Sequence, residues 1–129
     1  MDKMTSAKIG HIITQGEGLT VEFKAVKTGL SGNLFETICA FLNHSGGTIL
    51  LGVADDKTVV GVDPHKADAY CKDITNLSNN PQKLSPSFLL EVNPVHYKGN
   101  TLIYIYVPAS SQVHRCSGKV YDRRIDGDY

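Results

Sequence analysis

Glu17, Glu22 and Asp55 are the residues of this 129-residue chain best suited to chemistry. They come from three places: ahead of a short strand, on that strand's polar face, and in the loop after an apolar strand. Carboxylates brought from separate segments to one end of a sheet bind Mg²⁺ or Mn²⁺, and such an ion activates water against a phosphodiester. The alternative stays open on residue type alone: every soluble protein carries surface acids, and Asp55-Asp56 also suits a turn. A second constellation is basic. Arg115, Lys119, Arg123 and Arg124 fall within ten positions, with Tyr121 among them. Arg and Lys neutralise phosphates, and Tyr stacks on an unpaired base. The bland alternative is an edge strand whose cations block aggregation. Lys24 shares a strand face with Glu22, where it could hold a substrate phosphate, and Lys27 extends the basic set.

Composition narrows the classes. Hydrophobic residues make up 41% and charged residues 20%, which excludes disorder, collagen-like repeats and coiled coil. Thirteen basic residues balance thirteen acidic ones, so any phosphate binding must come from a local patch rather than a global field. Cys39, Cys71 and Cys116 are odd in number and widely spaced, which argues for a reducing compartment over a disulfide framework. No signal peptide or membrane-length apolar run is present, and a cytoplasmic location is expected, with no membrane partner. His114 and Cys116 are the only close metal-type pair, and the reading taken is a loop His and buried thiols, with no zinc. No GxxxxGK occurs, so ATP is not expected, and the absence of GxSxG removes the hydrolase elbow.

The elements that must position these residues can be read from periodicity. Leu19–Lys24 alternates and predicts a half-buried strand. Leu34, Ile38, Phe41 and Leu42 fall on one helical face after Asn33, which with Glu36 resembles a capping box, and Gly46-Gly47 closes that helix. Thr48–Val53 predicts a central strand with Val59–Val62 as hairpin partner. Asp63-Pro64 predicts the start of a second helix with Ala67, Tyr70, Ile74 and Leu77 inside. Phe88–Tyr97 and Thr101–Val107 predict a second hairpin, followed by a polar loop over 109–118 and a last strand over Lys119–Arg123. The first sixteen residues show no clean periodicity. The order predicts an α+β domain with a mixed, mostly antiparallel sheet and two main helices on one face. The chain reads as one domain over 1–129 with its core at 17–124, and as an N-terminal fragment of a longer protein.

Taken in order, several segments resemble the Schlafen AlbA-type domain. These are Glu17-Gly-Leu-Thr-Val-Glu-Phe-Lys24, Ile38-Cys-Ala-Phe-Leu-Asn43, Gly46-Gly-Thr-Ile-Leu-Leu-Gly-Val53, Asp55-Asp56 with Val59-Val-Gly-Val62, Val107-Pro108 and Tyr121-Asp-Arg123. The resemblance implies a DNA- or RNA-binding module of a bacterial transcriptional regulator, often fused to a winged-helix region. It also implies an alternative. Some Schlafen proteins are metal-dependent endoribonucleases whose two glutamates would correspond to Glu17 and Glu22, and whose aspartate would correspond to Asp55. Members commonly have Asp directly after the Gly-Val, where this chain has Ala54, so the third acid lies between Asp55 and Asp56. The nuclease members clamp RNA with two domain copies, so a homodimer would be needed here, and the isolated domain is expected to be inactive. A dimerisation or ligand-binding module without nucleic acid contact is the third alternative. The family's divergent-ATPase label finds no Walker A here.

Overall fold

The computed structural model describes residues 6–27 and 29–129. Its backbone is a four-stranded sheet in the order β1-β2-β5-β4, formed by Val21–Lys24 (β1), Gly47–Leu51 (β2), Glu91–Tyr97 (β4) and Asn100–Val107 (β5). β1 and β2 are parallel, and the other pairs are antiparallel. The expected α+β class and mixed, mostly antiparallel sheet therefore stand. The parallel pair is joined by helix α2 (Leu34–Asn43), the crossover that parallel neighbours require.

Alternation along the strands divides the core in two. Ile49 and Leu51 of β2 face α2 with Ile103, Ile105 and Val107 of β5, and helix α3 (Ala67–Ser78) joins that layer. Leu50 and Leu102 point to the other side, where Val21 and Phe23 meet Ile9 and Ile13 of helix α1 (Ser6–Gln15). The two expected helices, α2 and α3, thus share one face, and α1, which was not expected, covers the other. The signal for α1 was the apolar trio Ile9, Ile12 and Ile13, spaced i, i+3, i+4; the β-branched residues and Gly10 lower its helix propensity. Gly10 is tolerated because a side chain there would press on the Tyr97 hydroxyl, at 3.3 Å.

The remaining strands are two-residue pieces. Leu84–Ser85 (β3), Arg115–Cys116 (β6) and Lys119–Val120 (β7) form one small sheet, and Arg123–Arg124 (β8) with Gly127–Asp128 (β9) forms a hairpin against α2. The polar loop expected over 109–118 therefore contains β6.

Other local expectations need correction. Asn33 precedes α2 but makes no capping hydrogen bond, because its Oδ1 accepts instead from Lys24 Nζ and Ser31 Oγ. Gly46 does turn the chain out of α2, at φ 76°, with its N–H on the Phe41 carbonyl. Val59–Val62 forms no strand; it is held by a single bridge to Val53 and by amides on the Gly52 carbonyl. α3 begins at Ala67, since Asp63 spends its carboxylate on the His65 amide in a preceding turn. Its inner face uses Cys71 where Leu77 was expected, and Leu77 is exposed.

Candidate functional site

β1 is an edge strand, so its outer N–H and C=O groups need partners from outside the sheet. Glu17 and Arg123 supply them. Glu17 lies in the turn before β1 and accepts the Phe23 amide on Oε2 at 3.2 Å. Arg123 donates to the carbonyls of Gly18 (Nη2 2.7 Å, Nε 3.2 Å) and Val21 (Nη2 3.2 Å).

The period of two then sets Glu22 and Lys24 on the α2 side of the strand. Glu22 Oε1 is 3.0 Å from Arg123 Nη2, and Oε2 is 3.5 Å from Lys24 Nζ. Arg123 also holds Asp128 Oδ1 at 2.9 Å, lies 4.8 Å over the Phe41 ring, and is 0% exposed. Thr37 Oγ1 donates to the other Asp128 oxygen at 2.6 Å. A guanidinium offers five donors in a fixed fork, and here it serves two carboxylates and two carbonyls. Arg123 is therefore no surface phosphate contact, contrary to the expectation from the basic run. Lys24 is also buried, its ammonium held by Asn33 Oδ1 at 3.1 Å and by Glu22.

Asp55 arrives from the loop after β2. That loop is closed by the Ala54 amide on the Thr58 carbonyl and by Asp56 Oδ1, which accepts the Thr58 amide at 3.0 Å. Asp56 is spent on its own turn, where the Thr58 side chain first and the Thr58 amide second hold its carboxyl below the usual range. Asp55 is the acid whose charge reaches Glu17. Lys57, with φ 74°, ties the loop to the end of α1 by donating to the Thr14 carbonyl at 3.0 Å.

The three acids thus neighbour one another with unequal compensation. Burial, opposed by the Phe23 amide and reinforced by Glu22 and then Asp55, pushes the Glu17 carboxyl up to about 7. As placed they do not fit a metal. Both Glu22 oxygens are engaged by cations, and among the described residues no three His, Cys, Asp or Glu side chains stand around one point.

The other basic candidates separate by exposure. Arg115, Lys119, Arg124 and Lys27 are exposed, and Arg124 lies 5.8 Å over the Tyr129 ring. Tyr121 is half-buried against the α2 layer, beside Glu36, and its carbonyl accepts from Asn43 Nδ2 at 2.8 Å. Sequence reasoning missed Lys83, which joins Arg115 and Lys119 in the β3-β6-β7 region, 5.3 Å over the Phe35 ring. It also missed Asn43, whose amide grips the His114 backbone on both sides, at 2.7 and 2.9 Å. His114, expected in a loop, is buried, with Nδ1 2.6 Å from the Pro86 carbonyl and Nε2 2.7 Å from Ser110 Oγ. The three thiols are free and buried. No helix among the described residues is long and apolar enough to cross a membrane.

A mixed sheet layered by helices, with an ExxxxEFK strand at one edge and an acidic loop beside it, defines the Schlafen AlbA class of domain. The chain belongs to the Schlafen AlbA_2 family, whose model matches residues 17–129. Among solved structures, it is similar to the N-terminal domain of an ATP-dependent DNA helicase RecG-related protein from Nitrosomonas europaea. That match has TM-score 0.66 at 20% identity, covering 97% of this chain and 91% of the other. It is also similar to the DIP2311 protein from Corynebacterium diphtheriae, with TM-score 0.66 at 16% identity over 95% of this chain. There it spans 25% of the other chain's length. At these identities the likeness is one of fold. No curated protein matches the sequence.

Proposed function

We propose that this domain is a nucleic-acid-binding module of a bacterial transcriptional regulator, reading phosphate charge rather than base sequence. The observation that carries it is the exposure of Arg115 on β6 and Lys119 on β7, with Lys83 one residue ahead of β3, in a chain with zero net charge. Exposed cations can neutralise phosphates with release of their counterions. Exposed Arg124 and Lys27 widen the basic surface. Family membership, and a structural neighbour from a helicase-related protein, support the same direction. DNA and RNA share the phosphate chemistry, and a homodimer would double the contacts.

Fluorescence anisotropy with labelled single- and double-stranded oligonucleotides tests the reading. Binding is expected to weaken steeply between 50 and about 200 mM salt, and Arg115→Glu with Lys119→Glu is expected to lower affinity at least tenfold. Salt-insensitive binding, or no loss in the double variant, would overturn it.

A second reading is a divalent-metal-dependent endoribonuclease. What favours it is Glu17, whose carboxyl lacks a cationic partner among the described residues and feels the charges of Glu22 and Asp55. The ion pairs on Glu22 weigh against it. An RNA cleavage assay with Mn²⁺, run beside Glu17→Gln, decides between them: cleavage lost in the variant supports the nuclease, and no cleavage by the parent ends it.

A further inference from the structure

α1 is ten residues long, roughly 15 Å, and β5 runs eight residues, roughly 27 Å, so the helix covers only part of the sheet face beneath it. Covered residues cluster where Leu50, Leu102 and Tyr97 are buried. Register places Thr48 and Glu91 on either side of Tyr106, and Asn93 beside Tyr104, on the same face. Here the covering by described residues stops: Tyr106 is 48% exposed, Glu91 and Asn93 are exposed, and Thr48 and Tyr104 are half-buried. The Thr48 side chain lies close to the Tyr104 phenol.

We infer that Tyr104, Tyr106 and Glu91 form a recognition surface for an arginine- or lysine-bearing peptide segment of a partner protein. Two aromatic rings at i and i+2 of one strand present faces of negative potential, which attract a cation. Glu91 lies directly across from Tyr106, where cross-strand side chains stand about 5 Å apart, and adds a full negative charge. The five residues of this stretch carry one carboxylate and no cation, so the surface is complementary to a positive side chain. Asn93 and Thr48 supply hydrogen-bonding groups for the peptide around it. The same rings could stack on bases, but Glu91 would then face a polyanion with no cation of this stretch beside it. Charge selects the basic peptide. The surface is distinct from the cations of the β3-β6-β7 sheet and does not depend on the nucleic-acid reading.

The test is a ¹H–¹⁵N chemical-shift titration of the whole chain with a capped Gly-Arg-Gly-Arg-Gly peptide and its neutral citrulline counterpart. Saturable shifts are expected at Thr48, Asn93, Tyr104 and Tyr106, with the citrulline peptide binding roughly fivefold more weakly or worse. Tyr106→Ala and Glu91→Gln sit on the exposed surface, and each is expected to weaken the arginine peptide by a similar factor while leaving other shifts in place. Equal binding of both peptides, or no shifts on this face, overturns the proposal. So do shifts here with a single-stranded oligonucleotide alone, or with rising protein concentration alone, which would mark a nucleic-acid or self-association surface.

Discussion

Glu22 and Glu17 stand five positions apart on one edge of the sheet and differ in every electrostatic respect. Glu22 is half-buried between an ammonium and a guanidinium, and each of its oxygens has a cationic partner. Glu17 is half-buried with one backbone amide for company and two further carboxylates nearby. The first arrangement is saturated, and breaking it leaves a stranded charge. The second is unrelieved, and its stored repulsion is released by a proton or a bound cation. Saturation marks the part of the motif that builds the domain, and frustration marks the part free to act.

The largest expected effect breaks the saturated side. Arg123→Met removes the partner of Glu22 and Asp128 and of two carbonyls in a fully buried site, and should cost about 3–5 kcal/mol. Urea denaturation would measure it, and Arg123→Lys should not restore the loss, because one ammonium cannot reproduce the fork. A loss below 1 kcal/mol would mean that the network is not structural.

Asn43→Ala comes next. It strands the His114 amide and the Tyr121 carbonyl and leaves the His114 carbonyl only the Cys39 thiol, at about 2 kcal/mol, read by the same denaturation curves.

The smallest effect has the opposite sign and sharpens the comparison. The Glu17 carboxyl titrates near 7 when folded against 4.5 when unfolded, so the folded state holds more protons between those values. Stability contributed by this group is therefore full below pH 4.5 and falls as pH rises through 7. Glu17→Gln keeps an oxygen for the Phe23 amide and removes the charge. It should stabilise the protein at pH 8, by on the order of 1 kcal/mol after solvent screening of a half-buried group, and do nothing at pH 4. Differential scanning calorimetry at the two pH values checks the sign.

How much of this was legible in the sequence differs between the two sides. Glu17 and Glu22 could be singled out because strand alternation and the ExxxxEFK pattern are local, and the charges of Glu22 and Asp55 both reach Glu17. The choice between Asp55 and Asp56 was not local. It depended on which acid closed its own turn. Arg123 was misread because a cation in a basic run looks solvated, and only packing of the two-residue strands β8 and β9 against α2 buries it. Short strands carry no periodicity, so of the small sheets only Lys119–Arg123 was read, as one strand where the structure has β7 and the start of β8. Asn43 was read as a helix end, since its partners lie 71 and 78 residues away.

The contrast rests most directly on the side-chain carboxyl of Glu17. A ¹³C-detected pH titration of the whole chain, with Asp55→Asn beside it, follows that group alone. The Glu17 midpoint should lie near 7 and fall in the variant. A Glu17 midpoint near 4.5, unmoved by Asp55→Asn, would contradict the account.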